Sequence, residues 1–199
     1  MTITRLRPFP PPKGPAPGPW RAADLDRFPD DGYQYEIWRG QLVRTAPGGG
    51  RHGECEANLV TALRQQTRGL GRAYTGDTGF LLRENPDELV SPDVAFVRTN
   101  RLPPPAERIG YLHVVPDLVA EIRSPTDSDA DVQAKLDLYV SAGVPLVWLV
   151  DPRQQTIQEI RLPSPAASQR LLLRAEADDA LDGGDVVPGF RLPVAAVFE

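Results

Sequence analysis

The chain has 199 residues, 41% hydrophobic and 25% charged, which is enough for one sizeable core and a natural length for a single domain. A formal net charge of −5 excludes a global basic field for nucleic acid, and the single cysteine, Cys55, excludes both an intramolecular disulfide framework and a cysteine-rich zinc site. There is no apolar signal core and no run near the roughly twenty apolar residues that span a bilayer, so a cytoplasmic protein without membrane contact is expected.

Residues 1–19 are expected to form a disordered Pro-rich tail, because 8–19 (PFPPPKGPAPGP) offer few backbone donors and a fixed φ; residues 20–199 make the single domain. Trp20 to Asp31 reads as a short helical or irregular segment. Tyr33–Trp38 and Gln41–Thr45 pair as a hairpin across Arg39-Gly40, with glycine supplying the positive φ of a tight turn, and Pro47-Gly-Gly-Gly50 ends it. Arg51 to Arg68 is a helix, with Ala57, Leu59, Val60 and Leu63 at helical spacing and Gly69 and Gly71 as stops. His52 and Glu56 are four apart and can share a face of it. With no second histidine nearby, solvation or local hydrogen bonding is the simpler reading than a metal pair.

Strands follow at Gly79–Arg83 and Asp93–Arg98, then at 117–123. Asp127 to Ala142 is a second helix, with Val132, Leu136, Leu138 and Tyr139 as its apolar stripe and Gly143 and Pro145 as its end. Asp127, Asp129 and Asp131 suit its N-terminus and lack the glycine and glutamate of a calcium loop. Pro145–Val150 is a buried strand, so strand, helix and strand predict a parallel pair joined by a crossover. Thr156–Leu162, Arg170–Arg174 and the tail Val194–Phe198 are expected to extend the sheet antiparallel.

The stretch 117–123 draws the others together. Alternation puts Leu118, Ala120 and Ile122 on one wholly apolar face and Asp117, Val119, Glu121 and Arg123 on the other. Asp93 opens one buried strand, Glu121 ends another, and Lys135 lies on the helix that follows. Two carboxylates on neighbouring strands, with the Ile122 backbone carbonyl, suit a hard divalent cation that activates water and stabilises charge on a phosphodiester; a lysine can position the water or neutralise charge. Structural alternatives stay open: Asp93 as a turn carboxylate after Ser91-Pro92, Glu121 paired with Arg123 or Lys135, and Lys135 paired with Asp131.

Five segments in order carry a resemblance: Tyr35-Glu36-Ile-Trp-Arg-Gly40, Ser91-Pro92-Asp93-Val94, Val119-Ala-Glu121-Ile-Arg123-Ser-Pro125, Asp131-Val-Gln-Ala-Lys135-Leu-Asp-Leu-Tyr139 and Gly143-Val-Pro-Leu-Val-Trp148-Leu-Val-Asp151-Pro152. Together with His52 they resemble the Uma2 (DUF820) family of endonucleases of the PD-(D/E)XK superfamily, over roughly residues 20 to 195. The resemblance implies an α/β fold: a restriction-endonuclease-like core with a mixed β-sheet flanked by helices and additional antiparallel strands. It implies Mg²⁺ or Mn²⁺ on Asp93 and Glu121, DNA as substrate, and catalytic roles for Lys135 and, secondarily, Arg123, Glu36 and His52. The superfamily's usual lysine, two residues after the acid, is Arg123 here. Arginine stays protonated and cannot be a general base; the resemblance implies that the lysine comes instead from the following helix, where Lys135 occupies that place. The rival reading is a nuclease-fold binding or accessory protein without turnover. A two-carboxylate glycosidase fits less well, since Trp20, Trp38 and Trp148 are scattered. Open sheet edges leave room for a homodimer.

Overall fold

The computed structural model describes residues 3–4, 18–28, 31–164 and 167–199. A two-residue strand β1 (Ile3–Thr4) and a short 3₁₀ turn (Ala22–Arg27) precede β2 (Gln34–Trp38) and β3 (Gln41–Thr45). The helix α1 (Gly50–Gln66), β4 (Gly71–Thr75), β5 (Phe80–Arg83), β6 (Glu88–Val90) and β7 (Val94–Arg98) follow. Next come β8 (Leu118–Ile122), α2 (Asp129–Ala142), β9 (Leu146–Asp151), β10 (Thr156–Ser164) and β11 (Ala167–Arg174), and then β12 (Ala180–Asp182) and β13 (Arg191–Pro193).

The central sheet has the order β11-β10-β9-β8-β7-β4. Its one parallel pair is β8 with β9, joined by α2 as the strand-helix-strand pattern predicts. Ser128 caps α2, its hydroxyl accepting from Asp131 N–H at 3.1 Å, so the helix starts at Asp129 rather than Asp127. Gly143 closes it in the left-handed conformation at φ 80°.

Both faces of the central sheet are covered. Leu118, Ala120 and Ile122 pack with Cys55, Leu59 and Leu63 of α1 and with Phe190, Val194 and Val197 of the C-terminal segment. Val119 packs on the opposite face with Leu136 and Tyr139 of α2 and with Val147. The face that alternation leaves half-polar is therefore also interior, because the crossover helix must lie on it.

A second sheet, β1-β3-β2-β6-β5, carries the hairpin. Arg39 and Gly40 both have positive φ, 50° and 74°, matching the right-handed twist of β2 and β3. Two expectations change. β4 and β6 are strands that no sequence run announces. The tail Val194–Val197 is a 3₁₀ turn that packs under α1, while β12 and β13 pair in a small separate sheet, because a segment that fills the α1 face cannot also extend the sheet edge. Of the expected tail, residues 1–2 and 5–17 lie outside the described residues, and Ile3–Thr4 pair with β3. Among the described residues no helix is long and apolar enough to cross a membrane.

Candidate active site

The register of two strands sets the geometry. β7 and β8 run antiparallel with Val94 opposite Ala120. Asp93, just before β7, and Glu121, just after Ala120, therefore stand side by side on one face. Both are buried, at 2% and 8% exposure. Asp93 takes the place of a strand residue. Arg123 N–H bonds the Val150 carbonyl of β9 at 2.9 Å, so the Ile122 N–H faces the β7 side, where Asp93 Oδ2 accepts it at 2.7 Å. His52, in the first turn of α1, places Nε2 3.1 Å from the same oxygen. The tautomer that suits an ionised carboxylate here carries its proton on Nε2, since such a group only accepts.

Glu121 is met from α2. Lys135 and Tyr139 lie one turn apart on the same helix face. Lys135 Nζ donates to Oε2 at 2.9 Å, and the Tyr139 hydroxyl donates to Oε1 in a short hydrogen bond. Lys135 Nζ also lies 3.3 Å from Oε1 of Glu36 on β2. A hairpin glutamate is ordinarily solvated, yet Glu36 is fully buried. It accepts from Trp38 Nε1 at 2.7 Å and from Ser91 N–H at 2.7 Å.

One lysine thus faces three carboxylates. Burial pushes the Glu121 carboxyl up, Lys135 pulls it back, and Asp93 and Glu36 push it again, leaving it raised to about 8. Burial opposes the Lys135 ammonium, but Glu121, Glu36 and Asp93 outweigh it and hold the lysine above its ordinary range. Burial, then Glu121 and Glu36, hold the Tyr139 phenol well above its own. Lys135 remains a cation, and the unmatched negative charge is felt at Glu121.

That imbalance fits a hard divalent cation, which takes oxygen donors, often one or two carboxylates, and keeps several waters. Among the described residues no three His, Cys, Asp or Glu side chains form a ready-made cage. The groups here that could hold such an ion are the carboxylates of Asp93 and Glu121, with solvent completing the shell. A cavity beside it is lined by Thr45, Glu121, Ile122, Arg123, Asp127 and Lys135.

Of the residues singled out in the sequence, Asp93, Glu121, Lys135, Glu36 and His52 come together. Arg123 sits on the cavity rim, but its guanidinium reaches Asp129 at 2.5 Å and Asp151 at 4.0 Å rather than Glu121. Glu56 does share a face with His52, and it bonds the Gly76 N–H at 3.2 Å instead of the histidine. In the sequence Tyr139 reads only as part of the apolar stripe of α2; the signal for its contact is a hydroxyl one turn beyond Lys135, on the same helix face.

Comparison with known proteins bears on this arrangement. The model of the Uma2 family, described as putative restriction endonuclease, matches residues 22–195. A crystal structure of a "putative nuclease belonging to DUF820" from Anabaena variabilis ATCC 29413 is similar in fold, with a TM-score of 0.75 at 18% identity over 88% of this chain and 96% of that one. Comparison with curated proteins finds no match.

Proposed function

This chain belongs to the Uma2 family, and on that premise we propose that it is a divalent-metal-dependent endonuclease hydrolysing phosphodiester bonds in DNA. The observation that supports this reading is the convergence of Asp93, Glu121, Glu36 and Lys135 from four parts of the chain, with more negative charge than one lysine neutralises. Asp93 and Glu121 would hold Mg²⁺ or Mn²⁺, with the Ile122 carbonyl as a further donor. Such an ion, when bound, polarises a phosphoryl oxygen and makes water a nucleophile near neutral pH.

The chain's own groups do the rest. His52 and the Ile122 N–H orient Asp93, while Lys135 and Tyr139 orient Glu121. Lys135, held as an ammonium, takes no proton; it donates to the attacking water or to an anionic phosphate oxygen. Glu36 anchors the lysine, and Arg123 on the rim adds positive charge toward the phosphate.

The test is cleavage of supercoiled and linear DNA by purified protein with Mg²⁺ or Mn²⁺, beside calorimetry of Mn²⁺ binding. Asp93→Ala and Glu121→Ala are expected to lower the rate by about 10³-fold and to lose the binding heat. Unchanged activity in both variants sinks the assignment. The second reading, a nuclease-fold binding protein without turnover, draws on the fact that both Glu121 oxygens are already bonded within the fold. It is favoured if the wild-type protein binds neither ion and still retains nucleic acid.

A further inference from the structure

We propose that Gly48 is a positioning residue: its lack of a side chain is the seat of the His52 imidazole, and through His52 it holds Asp93 in orientation. The importance of Asp93 for cation chemistry rests on the reading above; the seat itself rests on geometry alone. A Cβ added at Gly48 would lie 2.6 Å from His52 Nδ1, 2.8 Å from Cγ and 3.1 Å from Cε1. These are atoms of a rigid ring, one edge of which is tied to Asp93 Oδ2 through Nε2 at 3.1 Å. The ring is buried, at 8% exposure, so it has little room to swing aside.

The neighbouring glycines isolate the effect. Gly49, Gly50 and Gly53 would place a Cβ with nothing within 4 Å. Gly48 is not among the positive-φ glycines, so alanine suits its backbone and the whole cost falls on the ring contact. Other glycines with a clash below 3.0 Å meet Pro19, Phe96, Tyr111, Val187, Arg161 or backbone, away from the candidate site. The run Pro47-Gly48-Gly49-Gly50, which reads in the sequence only as the end of a hairpin, thus contains one position whose emptiness the site requires. With alanine there, the imidazole must turn from Asp93. The carboxylate then keeps only the Ile122 N–H, and partners of this kind are worth about 10- to 100-fold in metal affinity or activity.

The protein has two histidines, His52 and His113, so imidazole ¹⁵N spectra are simple to assign. Gly48→Ala is expected to move the His52 Nε2 resonance, leave His113 in place and weaken Mn²⁺ binding by about 10-fold or more. Gly49→Ala should match wild type on all three readouts. His52→Ala should lose the same affinity, and adding Gly48→Ala to it should cost nothing further. An unmoved His52 resonance, or an equal cost of Gly48→Ala with and without His52, overturns the proposal. If the wild-type protein binds no Mn²⁺, the nuclease reading fails. The resonance shift and the same double-variant cycle read by urea denaturation then still decide the role of Gly48.

Discussion

The β7–β8 ladder ends in a carboxylate on either side, and the two ends are built differently. At one end Asp117 accepts the Arg98 N–H at 2.9 Å, Arg98 Nε at 3.0 Å and Arg101 Nη1 at 2.8 Å. At the other, Asp93 accepts the Ile122 N–H and His52, beside Glu121 and Glu36, with Lys135 as the cation they share. Each end caps a backbone donor that the ladder leaves over, so both are structural in that sense. The charge balance separates them. Two guanidiniums meet one carboxylate at the Asp117 end, whereas at the Glu121 end one ammonium contacts two carboxylates, Glu121 and Glu36, with Asp93 within electrostatic reach. A buried acid with surplus cations completes a fold; one with too few leaves negative charge without a matching partner.

The sharpest way to break this contrast is pH. The Glu121 carboxyl sits at about 8 in the fold, above its ordinary 4.5. A raised value means the folded, metal-free protein keeps a proton that the unfolded chain releases. That stabilisation is complete below about pH 4.5 and is lost as pH rises through about 8. A cation must displace the same proton, so Mn²⁺ affinity is expected to rise by up to about 100-fold from pH 6 to 8, with proton release visible by calorimetry in buffers of different ionisation enthalpy. Urea stability of the metal-free protein should fall by about 2 kcal/mol over that range and stay flat in Glu121→Gln. Flat curves in wild type as well would remove the charge imbalance from the account.

Next in size is the opposite end. Asp117→Ala removes the acceptor of two arginines whose side chains are each 39% exposed. Solvent screens such pairs, so a loss of about 2 kcal/mol in urea unfolding is expected, below the value for a fully buried pair. Activity per folded molecule should be unchanged; a loss of activity would mean that the two ends are not separate. The smallest change is Tyr139→Phe, which deletes one hydroxyl and leaves Glu121 Oε1 without its donor. Roughly a 10-fold loss in kcat/KM is expected, with Mn²⁺ affinity falling in parallel. Wild-type kinetics would confine Tyr139 to packing.

What the chain disclosed in advance follows from how far apart the partners lie. The β8–α2–β9 crossover was legible because its signals are local: an apolar strand, Ser124-Pro125, a periodic helix, and Gly143 with Pro145. Asp93, Glu121 and Lys135 stood out as charges at the edges of apolar runs. The burial of Glu36 was not legible from residue spacing, since Ser91 and Lys135 reach it across sheets that only the tertiary fold brings together. β4 escaped because Gly71-Arg-Ala-Tyr-Thr75 lies at the edge of the sheet and shows little apolar alternation, and β6 because three residues are too few to show a period. Val194–Phe198 looked like a strand because its apolar residues are needed inside; what they fill is the α1 face.

The Ile122 amide gives this arrangement its own probe. In the middle of a core sheet a backbone N–H is normally held by another backbone, and it exchanges with solvent only when the sheet opens. Ile122 is held by the Asp93 side chain. Its deuterium uptake therefore reports the orientation of one carboxylate, while its neighbours on β8 report the sheet. A ligand that draws Asp93 away would unprotect this single amide and leave the rest of the strand slow.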